Sequence, residues 1–496
     1  MRNFLSVFIF LIPFLLVAQK DNVFLERSFW QSHPDLETVK EKIGEGHDAT
    51  ALNSNGFDGT IYALLGNADN EVITYLLSLP GNEMDKRTHD SRIYLHWAAM
   101  AGNNEMVEYL LKNGSSQTVV DSHGYIPLAF AAATGQTNWE VYKTFEKYGA
   151  NLAETTDAEG TNLLLLIAPY LEDETQLQFF TEKGLSPQTN DAHGNGIFNY
   201  AAKGGNIGFL QLLEGMGLVP KKRNAEGGNA FIFAAQGTRG KQNSIEVFNY
   251  LKNLGLEPNV VTQSGVTPLH HLSYRATDPA IFNLFLTSGA NVNQKDANGN
   301  TPFLNAAARN ELAVVKLLES RGGDIISSNA KGQTALMLAV ENNSPDVVEF
   351  LIEKGSDAST KDAAGNNLAY YLVSGFHPEK MDGFDMKLRI LQKIRVPMDA
   401  PQGDGNTLYH LAAKTNQLEL VKRLSALNIP INAVNDEGMT PLHLAAMKAT
   451  GDELMKYLIS QGADTGAVTE FGETPFDLAQ ENEQLQQRQT NLSFLK

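Results

Sequence analysis

The sequence GVTPLH at residues 265–270 recurs almost unchanged as GMTPLH at residues 438–443. Each part of this unit suits a turn that runs directly into a helix. Glycine allows the positive φ that a tight turn requires, and the threonine hydroxyl satisfies an exposed backbone N–H at the helix N-cap. Proline then occupies the first helical position, where its missing N–H costs nothing. The unit therefore predicts the start of a helix wherever it occurs.

The turn glycines recur at a nearly fixed interval, and most steps are 33 or 34 residues long. After each turn we expect a first helix with a small-residue pair, as at 445–446. A second helix follows, with apolar residues one turn apart, as at 347–352. Such a period predicts stacked units of one turn and two helices. The glycines that mark it are Gly124, Gly160, Gly194, Gly227, Gly265, Gly299, Gly332, Gly365, Gly405, Gly438 and Gly472.

With these features the chain resembles the ankyrin repeat family, whose hallmark is T-P-L-H-x-A within a unit of about 33 residues. The resemblance implies an all-α fold, an α-solenoid of about thirteen helix-turn-helix repeats with β-turn fingers and helical caps. We expect a signal peptide at 1–18, an N-terminal capping helix pair at 19–56, the repeats at 57–480 and a C-terminal capping helix at 481–496. The motif is most degenerate in the first half of the chain.

Two steps between turn glycines are longer than the period. The step from Gly227 to Gly265 is 38 residues, and the step from Gly365 to Gly405 is 40. We place the additional residues at 237–243 and 375–384. Both insertions are expected to form loops between the two helices of a repeat.

The N-terminus has the pattern of a secretory signal peptide. Arg2 supplies a positive charge, residues 4–17 are almost entirely apolar, and Ala18 precedes the polar chain. This apolar run is shorter than the roughly 20 residues that span a bilayer. We therefore expect cleavage near Ala18, no membrane span, and a periplasmic or secreted protein of a bacterial cell.

Composition and motifs argue against several classes of function. The net charge of −18 disfavours nucleic-acid binding, and the absence of cysteine excludes thiolate catalysis and cysteine-ligated zinc. We find no catalytic, cofactor or metal motif, and we expect a non-enzymatic protein without a cofactor. Four histidines occupy the T-P-L-H position and are expected to brace the turns: His96, His270, His410 and His443.

The resemblance implies a protein partner, because ankyrin repeats hold partners in a groove lined by the fingers and the exposed ends of the first helices. The residues that follow the small pair of each first helix are mostly basic, whereas the finger tips are mostly acidic. Tyrosine and arginine are enriched at binding hot spots. We therefore predict that an acidic segment of a partner binds the floor residues Tyr170, Lys203, Tyr274, Arg275, Arg309, Glu341 and Lys414.

Three functions remain open at this point. The first is an exported scaffold that holds another envelope or secreted protein. The second is a secreted effector or an immunity or inhibitor protein that acts on a foreign or host target. The third is an enzyme whose site no known motif reveals. The sequence does not decide the oligomeric state.

Overall fold

The computed structural model describes residues 22–219 and 223–496. The predicted signal peptide at 1–18 lies outside these described residues. The chain divides into two compact units, the first within residues 1–219 and the second within residues 220–496. In the ranges that the structure describes, no helix has the length and hydrophobicity needed to cross a membrane.

The first unit consists of helix pairs. The first pair has no preceding turn of the repeat type, whereas each of the other five pairs follows such a turn. The pairs are α1 (Arg27–Gln31) and α2 (Leu36–Gly44), α3 (Gly59–Leu65) and α4 (Asn70–Leu77), α5 (Tyr94–Ala101) and α6 (Asn104–Lys112), α7 (Pro127–Ala133) and α8 (Trp139–Lys147), α9 (Leu163–Ile167) and α10 (Glu174–Thr181), and α11 (Ile197–Gly204) and α12 (Ile207–Gly215).

The second unit continues the pattern with eight turn-preceded pairs among its described residues. The pairs are α13 (Ala230–Gln236) and α14 (Ile245–Asn253), α15 (Pro268–Leu272) and α16 (Pro279–Thr287), α17 (Pro302–Arg309) and α18 (Leu312–Ser320), α19 (Ala335–Asn342) and α20 (Pro345–Glu353), α21 (Leu368–Ser374) and α22 (Met381–Lys393), α23 (Leu408–Lys414) and α24 (Leu418–Leu424), α25 (Pro441–Lys448) and α26 (Glu453–Ser460), and α27 (Pro475–Glu481) and α28 (Glu483–Gln487). The predicted all-α class is confirmed, and the turn-preceded pairs match the expected thirteen repeats.

Within each unit the first helices of successive pairs pack against one another. In the first unit α5 packs between α3 and α7, and in the second unit α19 packs between α17 and α21. The small-residue pairs make this close approach possible, since Ala98 and Ala99 are fully buried, as are Ala445 and Ala446. The second helices form a second layer, in which α4 contacts α6 and α20 contacts α22.

The turn before each first helix has a repeated geometry, and we call each of these turns a finger. In the finger before α17, the Asp296 N–H donates to the Asn300 carbonyl (2.9 Å), and Gly299 has a φ of 75°. The Asp296 carboxylate accepts the N–H groups of Asn298 and Asn300. The carboxylate of this aspartate is thus used within its own turn.

The predicted bracing role of the T-P-L-H histidines is confirmed by their hydrogen bonds. In the repeat of α23, the Thr407 N–H donates to His410 Nδ1 (3.0 Å), and His410 Nε2 lies 2.9 Å from the Met439 carbonyl of the next finger. His96, His270 and His443 make the same two kinds of contact. Each ring therefore connects its own N-cap to the following finger.

The insertion at 237–243 lies between the two helices of its repeat, as predicted, whereas the prediction of a loop at 375–384 is wrong for residues 381–384, which belong to α22. Residues 237–243 separate α13 from α14, and they include an isolated bridge between Thr238 and Lys241. Residues 375–380 separate α21 from α22, and α22 is lengthened to 13 residues, whereas α20 has 9. The second insertion changes the surface beside the floor residues.

Candidate functional site

A cavity of about 920 Å³ opens beside the second insertion. Its lining includes Arg309 at the end of α17, Glu341 near the end of α19, and residues 374–384. Phe384 is buried at its edge and meets the Phe376 ring edge-on, with 5.2 Å between the ring centroids. Two floor residues, Arg309 and Glu341, are thus brought together in one recess.

Lys387 of α22 also lines this cavity, although Lys387 is only 7% exposed. Its Nζ donates to the carbonyls of Val340 (2.6 Å) and Asn343 (3.2 Å) at the end of α19. Burial lowers the pKa of Lys387 to about 8. The carbonyls at this helix end would otherwise lack partners, because a helix leaves its last four C=O groups unpaired.

Elsewhere in the second unit an asparagine has this role. Asn343 Nδ2 donates to the carbonyls of Ala307 and Asn310 at the end of α17, at 2.9 Å each. Asn482 likewise donates to Ala446 and Ala449 at the end of α25. At the end of α19 no asparagine of the described residues has this role. Lys387, which belongs to the lengthened helix α22, donates to the carbonyls there instead.

Tyr274, Arg275 and Arg309 lie on the surface of the second unit. Tyr274 is 40% exposed and both arginines are exposed. Burial and the Asp296 carboxylate raise the pKa of Tyr274, and the Arg309 guanidinium opposes that shift. Tyr274 and Arg309 are therefore electrostatic neighbours. Tyr274 follows the end of α15 by two residues, Arg309 ends α17, and these two helices pack together.

The remaining floor residue of the second unit is Lys414. It is the last residue of α23, as Arg309 is of α17, and it is exposed. The position predicted from the small-residue pair therefore corresponds to the exposed end of a first helix in both repeats.

The two floor residues of the first unit are less accessible. Tyr170 ends a short 3-10 helix and is half-buried, and its hydroxyl donates to the Ala133 carbonyl (3.3 Å). Its ring covers Gly135, where an added Cβ would lie 2.6 Å from a ring carbon. Lys203 in α11 is half-buried, and burial lowers the pKa of its ammonium group. Tyr170 thus has a packing role.

Sequence reasoning did not predict the cavity or the buried Lys387. The relevant signal was the step of 40 residues between Gly365 and Gly405, which located the insertion without indicating its lining. As for metal ligands, the described parts of the chain contain no cluster of three or more His, Asp or Glu side chains arranged to hold an ion.

Comparisons with known proteins identify a matching family profile and several similar proteins. A family profile described as ankyrin repeats (3 copies) matches residues 31–121, 60–156, 269–362, 363–469 and 409–486, which together cover more than half of the chain. Among solved structures, the chain is similar to the ankyrin repeat domain of human ASB11, with 24% identity over 43% of this chain and 92% of that one, at a TM-score of 0.36. It is also similar to the ankyrin repeat domain of Bcl-3, with 24% identity over 46% of this chain and 100% of that one, at a TM-score of 0.35.

Curated relatives match shorter segments. Protein phosphatase 1 regulatory subunit 27 of Mus musculus is 34% identical over 90 residues, which are 18% of this chain and 58% of that protein. Ankyrin repeat and SAM domain-containing protein 6 of Rattus norvegicus is 36% identical over 104 residues, which are 21% of this chain and 12% of that protein. The chain thus spans less than two thirds of the length of these relatives.

Proposed function

This chain belongs to the ankyrin repeat family, and we propose that it is an exported, non-catalytic scaffold that binds an acidic segment of another protein on the floor residues of its second unit. The observation that carries this proposal is the exposed set of Tyr274, Arg275 and Arg309, of which Arg309 also lines the cavity. Similar proteins named as regulatory subunits of protein phosphatase 1 support a role in protein binding.

The electrostatics of the floor favour an acidic segment. Among the described residues, neither Arg275 nor Arg309 has a carboxylate within ion-pair distance. A free guanidinium presents a planar set of N–H donors that matches a carboxylate in a bidentate arrangement. These two positive side chains are exposed on a protein whose net charge is −18. They would draw in a negatively charged segment and fix its position.

The histidines support the non-catalytic part of the proposal. General acid–base chemistry needs a ring nitrogen within reach of a substrate. In His270 and His410, Nδ1 accepts a backbone N–H and Nε2 faces a carbonyl of the next finger. Both nitrogens are therefore occupied by the fold.

We expect the double variant Arg275→Glu with Arg309→Glu to bind an acidic peptide about tenfold more weakly or worse, because hot-spot arginines contribute about 2 kcal/mol or more. The measurement is fluorescence anisotropy with a labelled peptide in which glutamate and leucine alternate. Both arginines are exposed, so the circular dichroism spectrum and melting curve should not change.

The matched control is Lys252→Glu with Lys393→Glu, which makes the same charge change at exposed positions on the second helices α14 and α22. This control should bind the acidic peptide as the wild type does. Undiminished binding by a folded Arg275→Glu, Arg309→Glu protein would rule out the floor as the binding surface.

The proposal of export rests on Arg2, the apolar residues 4–17 and Ala18. We expect the full chain, expressed in a bacterium with a C-terminal tag, to be recovered from the periplasm or medium without residues 1–18. Intact mass spectrometry measures the cleavage. Phe10→Asp places a charge in the apolar run and should keep the protein uncleaved in the cytoplasm. An uncleaved wild-type protein in the cytoplasm would contradict export.

A further inference from the structure

Exposed apolar side chains form a row across the last three fingers. Pro401, Val434 and Val468 each immediately precede the first residue of their finger, and all three are exposed. Val434 is 61% exposed and Val468 is 56% exposed. Phe471, at the tip of the last finger, is 89% exposed. The three preceding fingers carry Lys295, Ser328 and Lys361 at the same position.

These fingers contact one another, so their side chains form a continuous surface. The Asp436 N–H donates to the Asp404 carbonyl (3.2 Å) across the first pair of fingers. Across the second pair, the Glu470 side chain lies against Gly438, where an added Cβ would be 3.0 Å from Glu470 Cγ. We call residues 399–407, 432–440 and 464–474 the C-terminal finger face.

The C-terminal finger face is also strongly acidic. It has seven carboxylates and no lysine or arginine, and none of the seven has an ion-pair partner among the described residues. The three preceding fingers, counted over stretches of the same lengths at 293–301, 326–334 and 357–367, carry three carboxylates and three lysines. Negative charge is therefore more concentrated on this face than on the three preceding fingers. Its acidic residues are Asp399, Asp404, Asp436, Glu437, Asp464, Glu470 and Glu473.

We propose that the C-terminal finger face binds a segment of a partner protein that combines lysine or arginine with apolar side chains. Exposed apolar side chains grouped within a polar rim are typical of protein interaction sites. The apolar residues of the segment cover Val434, Val468 and Phe471, and its cations neutralise the carboxylates around them. The negative field repels nucleic acid and anionic lipid, which leaves a protein as the occupant.

The charge of the face is tested with the triple variant Asp436→Lys, Glu437→Lys, Glu470→Lys of the full chain. The probe is a labelled peptide in which lysine and leucine alternate, and its binding is followed by fluorescence anisotropy. We expect the triple variant to bind about tenfold more weakly than the wild type. The control, which makes the same charge change on exposed residues of α20, should retain most of the binding; its substitutions are Asp346→Lys, Glu349→Lys and Glu353→Lys.

The apolar part is tested at constant charge. Phe471→Ser should weaken binding of the lysine–leucine peptide about fivefold to tenfold, because a large apolar contact is lost. Ile326→Ser removes an apolar side chain that is 76% exposed near a preceding finger, and it should have no effect. A second peptide, in which serine replaces leucine, should bind the wild type weakly.

Three results would overturn this inference: equal loss in the α20 control, full binding by Phe471→Ser, or equally tight binding of the lysine–serine peptide. Each would mean that general charge attraction alone holds the probe. The inference does not depend on the floor residues. The variant Arg275→Glu with Arg309→Glu should therefore bind the lysine–leucine peptide at least as well as the wild type.

Discussion

Replacing Asp58 with alanine is expected to destabilise the first unit by about 3–5 kcal/mol, the usual effect of removing one partner of a buried ion pair. Asp58 is fully buried at the N-cap of α3. One carboxylate oxygen accepts the Ile61 N–H (3.0 Å), and the other accepts Lys86 Nζ (2.8 Å) and the Tyr94 hydroxyl (2.6 Å). Alanine would leave the Lys86 ammonium without a counterion at a site where its side chain is only 13% exposed.

Intrinsic fluorescence measures this effect selectively, because the three tryptophans of the chain, Trp30, Trp97 and Trp139, all lie in the first unit. Urea titration of the full chain therefore reports the unfolding of that unit. Asp35→Ala is the matched control: Asp35 also caps a helix, but it is exposed and its hydrogen bonds are to Thr38. It should cost about 1 kcal/mol. If the two substitutions lower the free energy of unfolding by the same amount, the buried network of Asp58 does not stabilise the first unit as proposed.

The helix starts could be predicted from the sequence because their causes are local. Glycine, threonine and proline determine a turn and a cap within a few residues, as at 438–443, and the structure has Thr440 at the N-cap of α25. The Asp58 network could not be predicted in this way. Its members Lys86 and Tyr94 are 28 and 36 residues from Asp58, and only the packing of successive repeats brings them together.

In the candidate site, too, local features could be predicted from the sequence and long-range packing could not. The sequence pattern places Arg309 and Lys414 on the groove floor, directly after a small-residue pair, and in the structure both residues end their first helices and are exposed. The same pattern could not predict that Tyr170 packs over Gly135, because Tyr170 lies in a short 3-10 helix and not at the end of a regular first helix. Nor could it predict that Lys387 replaces an asparagine, since the lysine comes from a helix lengthened by an insertion.

The T-P-L-H histidines should make the fold sensitive to mild acid. Their neutral form is required, because Nδ1 must keep a lone pair to accept the N-cap N–H. In His96, which is fully buried, Nδ1 accepts the Ile93 N–H (3.2 Å). Burial lowers the pKa of His96 to about 4, and it also lowers the pKa of His270, His410 and His443.

The sign of the effect follows from the pH at which His96 takes up a proton in the folded state and in the unfolded state. In the unfolded chain histidine has a pKa of about 6.5, so below that pH the unfolded state binds protons that folded His96 does not. The contribution of His96 is therefore complete above about pH 6.5 and is lost as the pH falls towards 4. From about pH 7 to about pH 5 the first unit should lose about 2 kcal/mol through this residue alone.

His96→Gln isolates this effect, because glutamine can take the same place in a capping box and does not titrate. Tryptophan-monitored urea titrations at the two pH values should show a much smaller loss for His96→Gln than for the wild type. The control is His33→Asn, since His33 is exposed and its φ of 49° suits asparagine. His33→Asn should lose as much stability as the wild type. If His96→Gln loses as much as well, the acid sensitivity has its origin in groups other than the buried ring.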